Sequence, residues 1–430
     1  MNKALIYDAI IVGAGILGLA TGYHIKNRDP NKRVLIVERN PGPGFEATGK
    51  SAGCFQGFFK SRTSRVLAKS SIMFYEYVER KLKINLEIRW IGFLWLLSEK
   101  HYYEIRSALK DMKGEEGEYR IIDAEELAKK MKVNIHASKL EEADILGLYD
   151  IHVGLLAKYA GTLNVTSLVK FYEREFLKLG GKIMYNSEVN ELVLEPAKPL
   201  KLSGEPFYWQ DRRISGVKIG SKILKAGKTI LAAGGWIQSL LNNVGVESLI
   251  RPKKKSIYVI KADTNSLRAL LRVRELNKEG IMPFTIITHP EIYVKPEIKE
   301  ETFWIGHGLV FGMPFKIEDI YVSDEKFYEQ ELYPILSAYF PQFKDKRPVN
   351  SWSSIYEVTI DRQPVVFEEN DLIVVGGGSG YGIMKADAIG RIAASVFFEE
   401  NKAELFGGYT FKCSDLSIKH RNVEPELFIL

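Results

Sequence analysis

The sequence predicts an α/β fold in which a Rossmann-like nucleotide-binding sheet is assembled from distant segments and a second domain is interleaved with it. Three observations lead there. Buried strand-like runs enter glycine turns at three places: Ala9–Val12 before Gly13, Thr229–Ala232 before Gly234, and Asp371–Val375 before Gly376–Gly382. The first run is followed by an apolar helical stretch and a second strand, Val34–Val37, that ends on an acid, Glu38. No internal repeat or low-complexity linker separates end-to-end domains.

The first forty residues carry the most information. Gly13-Ala14-Gly15-Ile16-Leu17-Gly18 sits between a strand and a helix, the context a Gly-x-Gly-x-x-Gly match needs. Gly13 permits the tight turn, Gly15 lets a pyrophosphate approach the backbone, and Gly18 lets helix and strand pack closely. The helix N-terminus offers N–H groups and partial positive charge to phosphate. Glu38 stands where an acid accepts hydrogen bonds from a ribose. An alternative reading as a secretory leader fails on the glycines and the terminal acid.

Further along, residues 46–57 form a second small-residue loop. An amphipathic helix is predicted from about Ser64 to Leu82, a strand over Ile88–Leu97, and a charged helical stretch over 99–133. A helix over 163–180 is capped by Asn164 or Thr166 and ended by Gly180-Gly181. Strands Lys182–Tyr185 and Glu188–Leu194 follow. Pro196–Pro206 is a polar hairpin tip or insertion, and it leads to Arg213–Ile219 and Lys222–Ala226, which alternate as paired strands do. Residues 256–345 alternate strands with one or two helices, and Ala386–Phe398 is helical. Lys253-Lys254-Lys255, the densest basic run, reads as a solvated turn.

Composition narrows the function classes. A chain of 430 residues, 46% hydrophobic and 27% charged, buries a large core and is not disordered. The net charge of +6 mildly favours an anionic ligand and does not imply nucleic acid. Two cysteines, Cys54 and Cys413, make neither a disulfide framework nor a metal cluster and suit a reducing cytoplasm. Scarce Cys with abundant Lys, Glu and Ile suits a thermophile. No apolar run reaches membrane-helix length, which leaves peripheral attachment open.

Taken together, these segments resemble the D-amino-acid-oxidase-like FAD oxidoreductases, a family that includes sarcosine oxidase and dehydrogenase, glycine oxidase and dye-linked L-proline dehydrogenase. The resemblance rests on the N-terminal fingerprint with Glu38-Arg39, the loop Ala47-Thr48-Gly49-Lys50-Ser51-Ala52-Gly53, and the turn Ala232-Ala233-Gly234-Gly235-Trp236. It rests also on Ile292–Pro296 with Trp304-Ile305-Gly306, on Trp352–Asp361, and on Gly378-Ser379-Gly380-Tyr381-Gly382-Ile383-Met384 with Gly390.

The resemblance implies FAD rather than a nicotinamide. Gly13, Gly15, Ile16, Leu17, Gly18, Glu38 and Arg39 would hold the ADP half. Thr48, Gly49, Lys50, Ser51, Gly53, Val189, Ala233, Gly234 and Trp236 would line the cofactor, and Gly378, Gly380, Tyr381, Gly382, Ile383 and Met384 would clasp the flavin ring. It implies an FAD domain from residues 1–80, 150–240 and 350–415. An α+β substrate domain with a mixed or antiparallel sheet would come from 81–149 and 241–349, and residues 416–430 would be a tail. The apolar Leu427–Leu430 is expected to dock.

Two departures from the family refine this. Some sarcosine oxidases attach flavin through a Cys two residues before the Tyr of the Trp352–Asp361 segment. Ser354 stands there, so noncovalent FAD is expected. Some oxidases carry a Lys where Met384 stands, and Met resembles the dehydrogenase branch. Flavin-dependent amine oxidation needs a cation for the substrate carboxylate and a dry, aligned pocket. Arg62 is the first candidate for that cation, ahead of Arg65, and Tyr356 and Tyr381 are candidates to line the pocket. His289 and His307 are read as structural, and an anion contact by Lys295 as doubtful.

The expected activity is dehydrogenation of a small amino acid, L-proline first, to its imine, with electrons passed to a dye- or quinone-like acceptor. The alternatives are an O2-using sarcosine or glycine oxidase, a 2-hydroxy acid or glycerol 3-phosphate dehydrogenase, and a flavin-binding subunit of a larger complex. Neither a metal nor a nucleic-acid partner is expected, and a homo-oligomer is compatible with the sequence.

Overall fold

A computed structural model describes residues 6–111, 119–308 and 323–426. Its first eight-stranded sheet contains the three glycine-turn strands side by side. The order is Val365–Glu369, Leu372–Gly376, Lys222–Leu231, Tyr7–Val12, Val34–Val37 and Lys182–Met184. All neighbouring pairs from Leu372–Gly376 to Lys182–Met184 are parallel. Tyr7–Val12 alternates between two cores: Ala9 and Ile11 face one, Ile10 and Val12 the other. Burial on both faces is why this strand reads as a continuous apolar run. Helices Ile16–Arg28, Arg62–Arg80, Val165–Lys178 and Gly382–Phe397 contribute to the core of the first face. Asn164 caps the third of these through the Ser167 N–H, as expected.

Lys222–Leu231 is one ten-residue strand, where the sequence reading splits it at Gly227-Lys228. Its first half pairs antiparallel with Arg212–Ile219, which continues to Glu191–Pro196. Its second half lies in the parallel sheet. A glycine inside a strand marks the close approach of the neighbouring backbone here, not a boundary: a Cβ on Gly227 would stand 3.2 Å from the Asp8 carbonyl oxygen.

The second eight-stranded sheet runs in the order Asn350–Val358, Arg251–Lys261, Thr302–His307, Ile292–Glu297, Phe284–Ile287, Phe93–Leu97, Val153–Ala157 and Tyr119–Asp123. It is mixed, since Phe284–Ile287 and Phe93–Leu97 pair parallel while the other pairs are antiparallel. Sheet membership departs from the expected boundaries at two places. Val153–Ala157 and Asn350–Val358 lie in this second sheet, on the far side of residues 150 and 350. One face packs on helices such as Asn265–Leu271 and Tyr333–Tyr339. The other contributes Phe93, Trp95, Phe284 and Ile286 to a core shared with Cys54, which opens the short strand Cys54–Gln56, and with Phe58 just beyond it.

Lys253–Lys255 is not a solvated turn. It belongs to strand Arg251–Lys261, paired on both sides, and Lys255 is buried. The C-terminal segment packs back on the molecule: the Glu426 carboxylate accepts from the Lys60 and Ser61 N–H groups, and Arg421 pairs with Asp361. The apolar Leu427–Leu430 lies outside the described residues.

Candidate active site

At the end of Tyr7–Val12 the chain turns on Gly13, whose φ is +106° and whose Cβ would stand 2.5 Å from the Ala232 carbonyl oxygen. Helix Ile16–Arg28 then starts without an N-cap side chain, and Thr48 Oγ1 accepts from the Ile16 N–H at 3.1 Å. A Cβ on Gly18 would stand 2.1 Å from the Gly13 carbonyl oxygen, so Gly18 serves helix–turn packing. The Glu38 carboxylate is held in place by the Ala14 N–H at 2.8 Å and by Asn40 at 2.8 and 2.9 Å.

These parts border a cavity of 420 Å³. Its wall includes Gly13, Gly15, Ile16 and Leu17, then Glu38, Arg39, Thr48, Ser51 and Val189. Ala233, Gly234 and Trp236 also line it, as do Gly378, Gly380, Gly382 and Ile383. Arg39 stacks 3.9 Å over the Trp236 ring and pairs with Glu46. Helix Gly382–Phe397 starts with no side-chain cap, four residues earlier than the sequence suggests, because Gly382 to Lys385 continue its first turn. The sequence motifs therefore converge on one space, with glycines at its turns and a fixed carboxylate at a strand end. That donor set fits a dinucleotide cofactor.

A smaller cavity of 100 Å³ shares Ser51, Tyr356, Ser379, Gly380 and Ile383 with the first. Gly53, Tyr381 and Met384 line it, together with Cys54, Phe284, Tyr293 and His307. Among the described residues, two cations line it, Lys255 and Arg362. Lys255 Nζ donates to the carbonyl oxygens of His307, at 3.2 Å, and Gly308. Burial pushes its ammonium down to about 7, against the pull of Glu291. Burial pushes Glu291 up to about 7, opposed by Arg362 and Lys255. Burial likewise raises Tyr356 to about 12, so its ring enters the wall as a neutral phenol.

Not every expected residue joins these cavities. Arg62 is exposed at the start of its helix, its N–H taken by the Glu424 carboxylate, and it lines neither cavity. The helix buries Thr63, Ser64 and Leu67, which turns Arg62 outward. Arg65 donates to the Phe59 and Lys60 carbonyl oxygens instead. Gly49 borders a separate 320 Å³ cavity with Lys295, whose ammonium sits 3.7 Å from the Trp304 ring. Lys50 pairs with Glu46, and its carbonyl oxygen accepts from Trp352 Nε1. His289 is exposed, and His307 is buried among the residues that line the smaller cavity. Lys255, Arg362 and Glu357 escaped the sequence reading. The only signal for Lys255 was the basic run, and that pointed to solvent.

Comparison with known proteins agrees with this architecture. A family model described as "DAO: FAD dependent oxidoreductase" matches residues 8–396. The chain is similar to FAD-dependent oxidoreductase domain-containing protein 1 of Xenopus laevis, at 21% identity over 91% of this chain and 79% of the relative. It is also similar to sarcosine oxidase subunit beta of Rhodobacter capsulatus, at 23% identity over 88% of this chain and 82% of the relative. Among solved structures, L-proline dehydrogenase from P. horikoshii superposes with a TM-score of 0.72 at 16% identity, covering 92% of this chain and 94% of that one. Glycine oxidase from Geobacillus kaustophilus reaches 0.67 at 19% identity, covering 92% and 95%. With its family model spanning both sheets and its glycine turns meeting at one cofactor-shaped cavity, this chain belongs to the DAO family of FAD-dependent oxidoreductases.

Proposed function

We propose that this enzyme oxidises a small amino acid, L-proline first, to its imine, with FAD bound noncovalently in the larger cavity and electrons passed on to a dye- or quinone-like acceptor. One observation carries the reading: the smaller cavity adjoins the larger one through shared walls, and Lys255 and Arg362 line it together with aromatic side chains. FAD supplies the two-electron acceptor that this chemistry needs. Gly13 to Leu17 and Glu38 would hold its ADP half, and the turn at Gly378–Ile383 its ring end.

The chain's own residues do the rest. Arg362 and Lys255 draw a substrate carboxylate to one side of the smaller cavity. Tyr356, Tyr381, Phe284 and Met384 exclude water and present the α-carbon toward the shared wall. Alignment and desolvation are the main catalytic contributions such a site makes. Noncovalent attachment is supported by Ser354, and by a Cys54 thiol that burial pushes up to about 12. A thiol so disinclined to ionise is a poor nucleophile. Acid precipitation should therefore release all the flavin into the supernatant.

The pair of cations also favours a second reading, oxidation of a 2-hydroxy dicarboxylate, in which Lys255 and Arg362 each meet one carboxylate. Anaerobic titration of the yellow protein separates these readings. Bleaching by L-proline that persists in air supports the dehydrogenase. Rapid recovery in air moves the assignment to an oxidase. Bleaching by 2-hydroxyglutarate alone selects the second reading.

A further inference from the structure

The C-terminal segment is tied to the turn that carries Arg362. Arg421, largely buried, grips the Asp361 carboxylate with two prongs, Nε to Oδ2 at 2.6 Å and Nη2 to Oδ1 at 2.8 Å. The same guanidinium donates to the carbonyl oxygens of Gln363 and Pro364, each at 3.1 Å. The Glu426 N–H donates to the Asp361 carbonyl oxygen at 2.9 Å, and Gln363 Nε2 to the Glu424 carbonyl oxygen at 2.9 Å. Within the turn, Asp361 Oδ1 accepts from the Gln363 N–H at 3.0 Å, and the Thr359 carbonyl oxygen accepts from the Arg362 N–H at 3.1 Å.

Arg362 itself sits at φ +56°. A residue with a side chain adopts that left-handed backbone at a cost and keeps it only where its surroundings fix it. Arg362 lines the smaller cavity, and its charge acts on both the Glu291 carboxyl and the Lys255 ammonium. Its guanidinium makes no hydrogen bond or ion pair among the described residues. The side chain is thus left for a ligand, while bonds to the residues on either side, several of them from the C-terminal segment, hold the backbone that presents it.

We propose that Arg421 is a positioning residue for substrate binding: by clamping Asp361 and the carbonyl oxygens of Gln363 and Pro364, it keeps Arg362 in the conformation that presents its guanidinium to a substrate carboxylate. This rests on Arg362 binding that carboxylate, as proposed above. Arg421 lines neither the larger nor the smaller cavity, so its effect on a ligand passes through the turn. A guanidinium suits the task. Its planar fork of five N–H donors spans a carboxylate and two main-chain carbonyl oxygens at once, which an ammonium does not match.

The test is a double-mutant cycle on the full chain with FAD bound, read as KM and kcat for L-proline with an artificial dye as acceptor. Arg421→Met is expected to raise KM about tenfold with kcat within about twofold of wild type, the split that lost substrate binding produces. Arg421→Lys keeps the charge without the fork and should raise KM about threefold. Made in the Arg362→Ala background, Arg421→Met should change KM by less than about twofold, because the group it positions is already gone. A residue that only supports the fold would weaken binding equally in both backgrounds, and such additive losses overturn the proposal. Unchanged KM in Arg421→Met, beside a raised KM in Arg362→Ala, overturns it while leaving the role of Arg362 intact. Should Arg421→Met fail to fold, Asp361→Asn replaces it. That variant keeps an acceptor for the Gln363 N–H and removes the charge from the clamp, so KM should rise about fivefold in wild type and less than about twofold in Arg362→Ala. Equal rises in the two backgrounds, or none, overturn the proposal here too. Unchanged KM in Arg362→Ala, or a wild-type flavin that L-proline does not bleach, overturns the substrate reading itself, and the proposal falls with it.

Discussion

The two adjoining cavities are built by different means. The larger is framed by main-chain turns at Gly13–Gly15, Ala233–Gly235 and Gly378–Gly382, each following a buried strand of the parallel part of the first sheet, with side chains such as Glu38, Arg39 and Trp236 between them. The smaller sets side chains from several strands of the second sheet, Lys255, Phe284, Tyr293, His307 and Tyr356, with Arg362 from the turn that follows, against the loop at Ser51–Cys54 and the turn at Ser379–Met384. A cavity framed by tight main-chain turns needs particular residues at particular spacings, above all glycine. A cavity walled by side chains needs only that alternate positions of a strand face inward. The first kind constrains the cofactor tightly. The second leaves substrate choice free to vary on the same fold, which is where members of one fold family diverge in chemistry.

The sharpest way to break the comparison is to damage the main-chain cavity. Gly13→Ala forces a Cβ within 2.5 Å of the Ala232 carbonyl oxygen at a φ of +106°. Flavin retained by the purified protein should fall to roughly a tenth of wild type or less, measured as visible absorbance per chain.

Damage to the side-chain cavity should spare the flavin and strike the substrate. Arg362→Ala and Lys255→Met should each raise KM for an amino acid by about thirtyfold, close to 2 kcal/mol for a lost charged hydrogen bond. FAD content should not change. A loss of flavin in either variant would mean the two cavities are not separable.

A smaller effect follows from pH. Lys255, depressed to about 7, carries its charge below that pH and loses it above. A bound carboxylate favours the charged form, so substrate affinity should weaken as pH rises through about 7, by up to about tenfold. The groups around it are Glu291, which adds attraction once ionised, and Arg362 and Lys253, which oppose the charge. Initial-rate KM values from pH 5.5 to 9 should show the step in wild type and a smaller one in Lys255→Met, where Glu291, raised to about 7, still ionises. The smallest effect belongs to Arg62→Ala. Its side chain is on the surface, so KM and flavin content should stay within about twofold of wild type.

The difference between the cavities also decides what could be read from the residues. Gly13, Gly15, Gly18 and Glu38 announce themselves because their spacing serves a geometric need, and the structure brings them to the first cavity or its supporting turn. The α/β class was legible for the same reason, since strands buried on both faces read as apolar runs. Lys255 was not legible. In a run of three lysines nothing marks which one faces inward, and the groups that meet it, the Glu291 carboxylate from a turn and the His307 carbonyl oxygen from a strand, lie far along the chain. Arg362 lies in a turn at φ +56°, a position that no periodicity announces. Arg62 drew notice for its nearness in sequence to the flavin loop. Helix phase overrides that nearness, burying Thr63 and Ser64 and turning Arg62 to solvent.

The most direct test is a difference spectrum of the oxidised flavin on titration with pyrrole-2-carboxylate, a planar carboxylate of proline's size. It is run on wild type, Arg362→Ala and Arg62→Ala. Saturable perturbation in wild type and Arg62→Ala, lost in Arg362→Ala, is the result expected if the smaller cavity receives the substrate carboxylate beside the flavin. Perturbation that survives in Arg362→Ala and disappears in Arg62→Ala would contradict it.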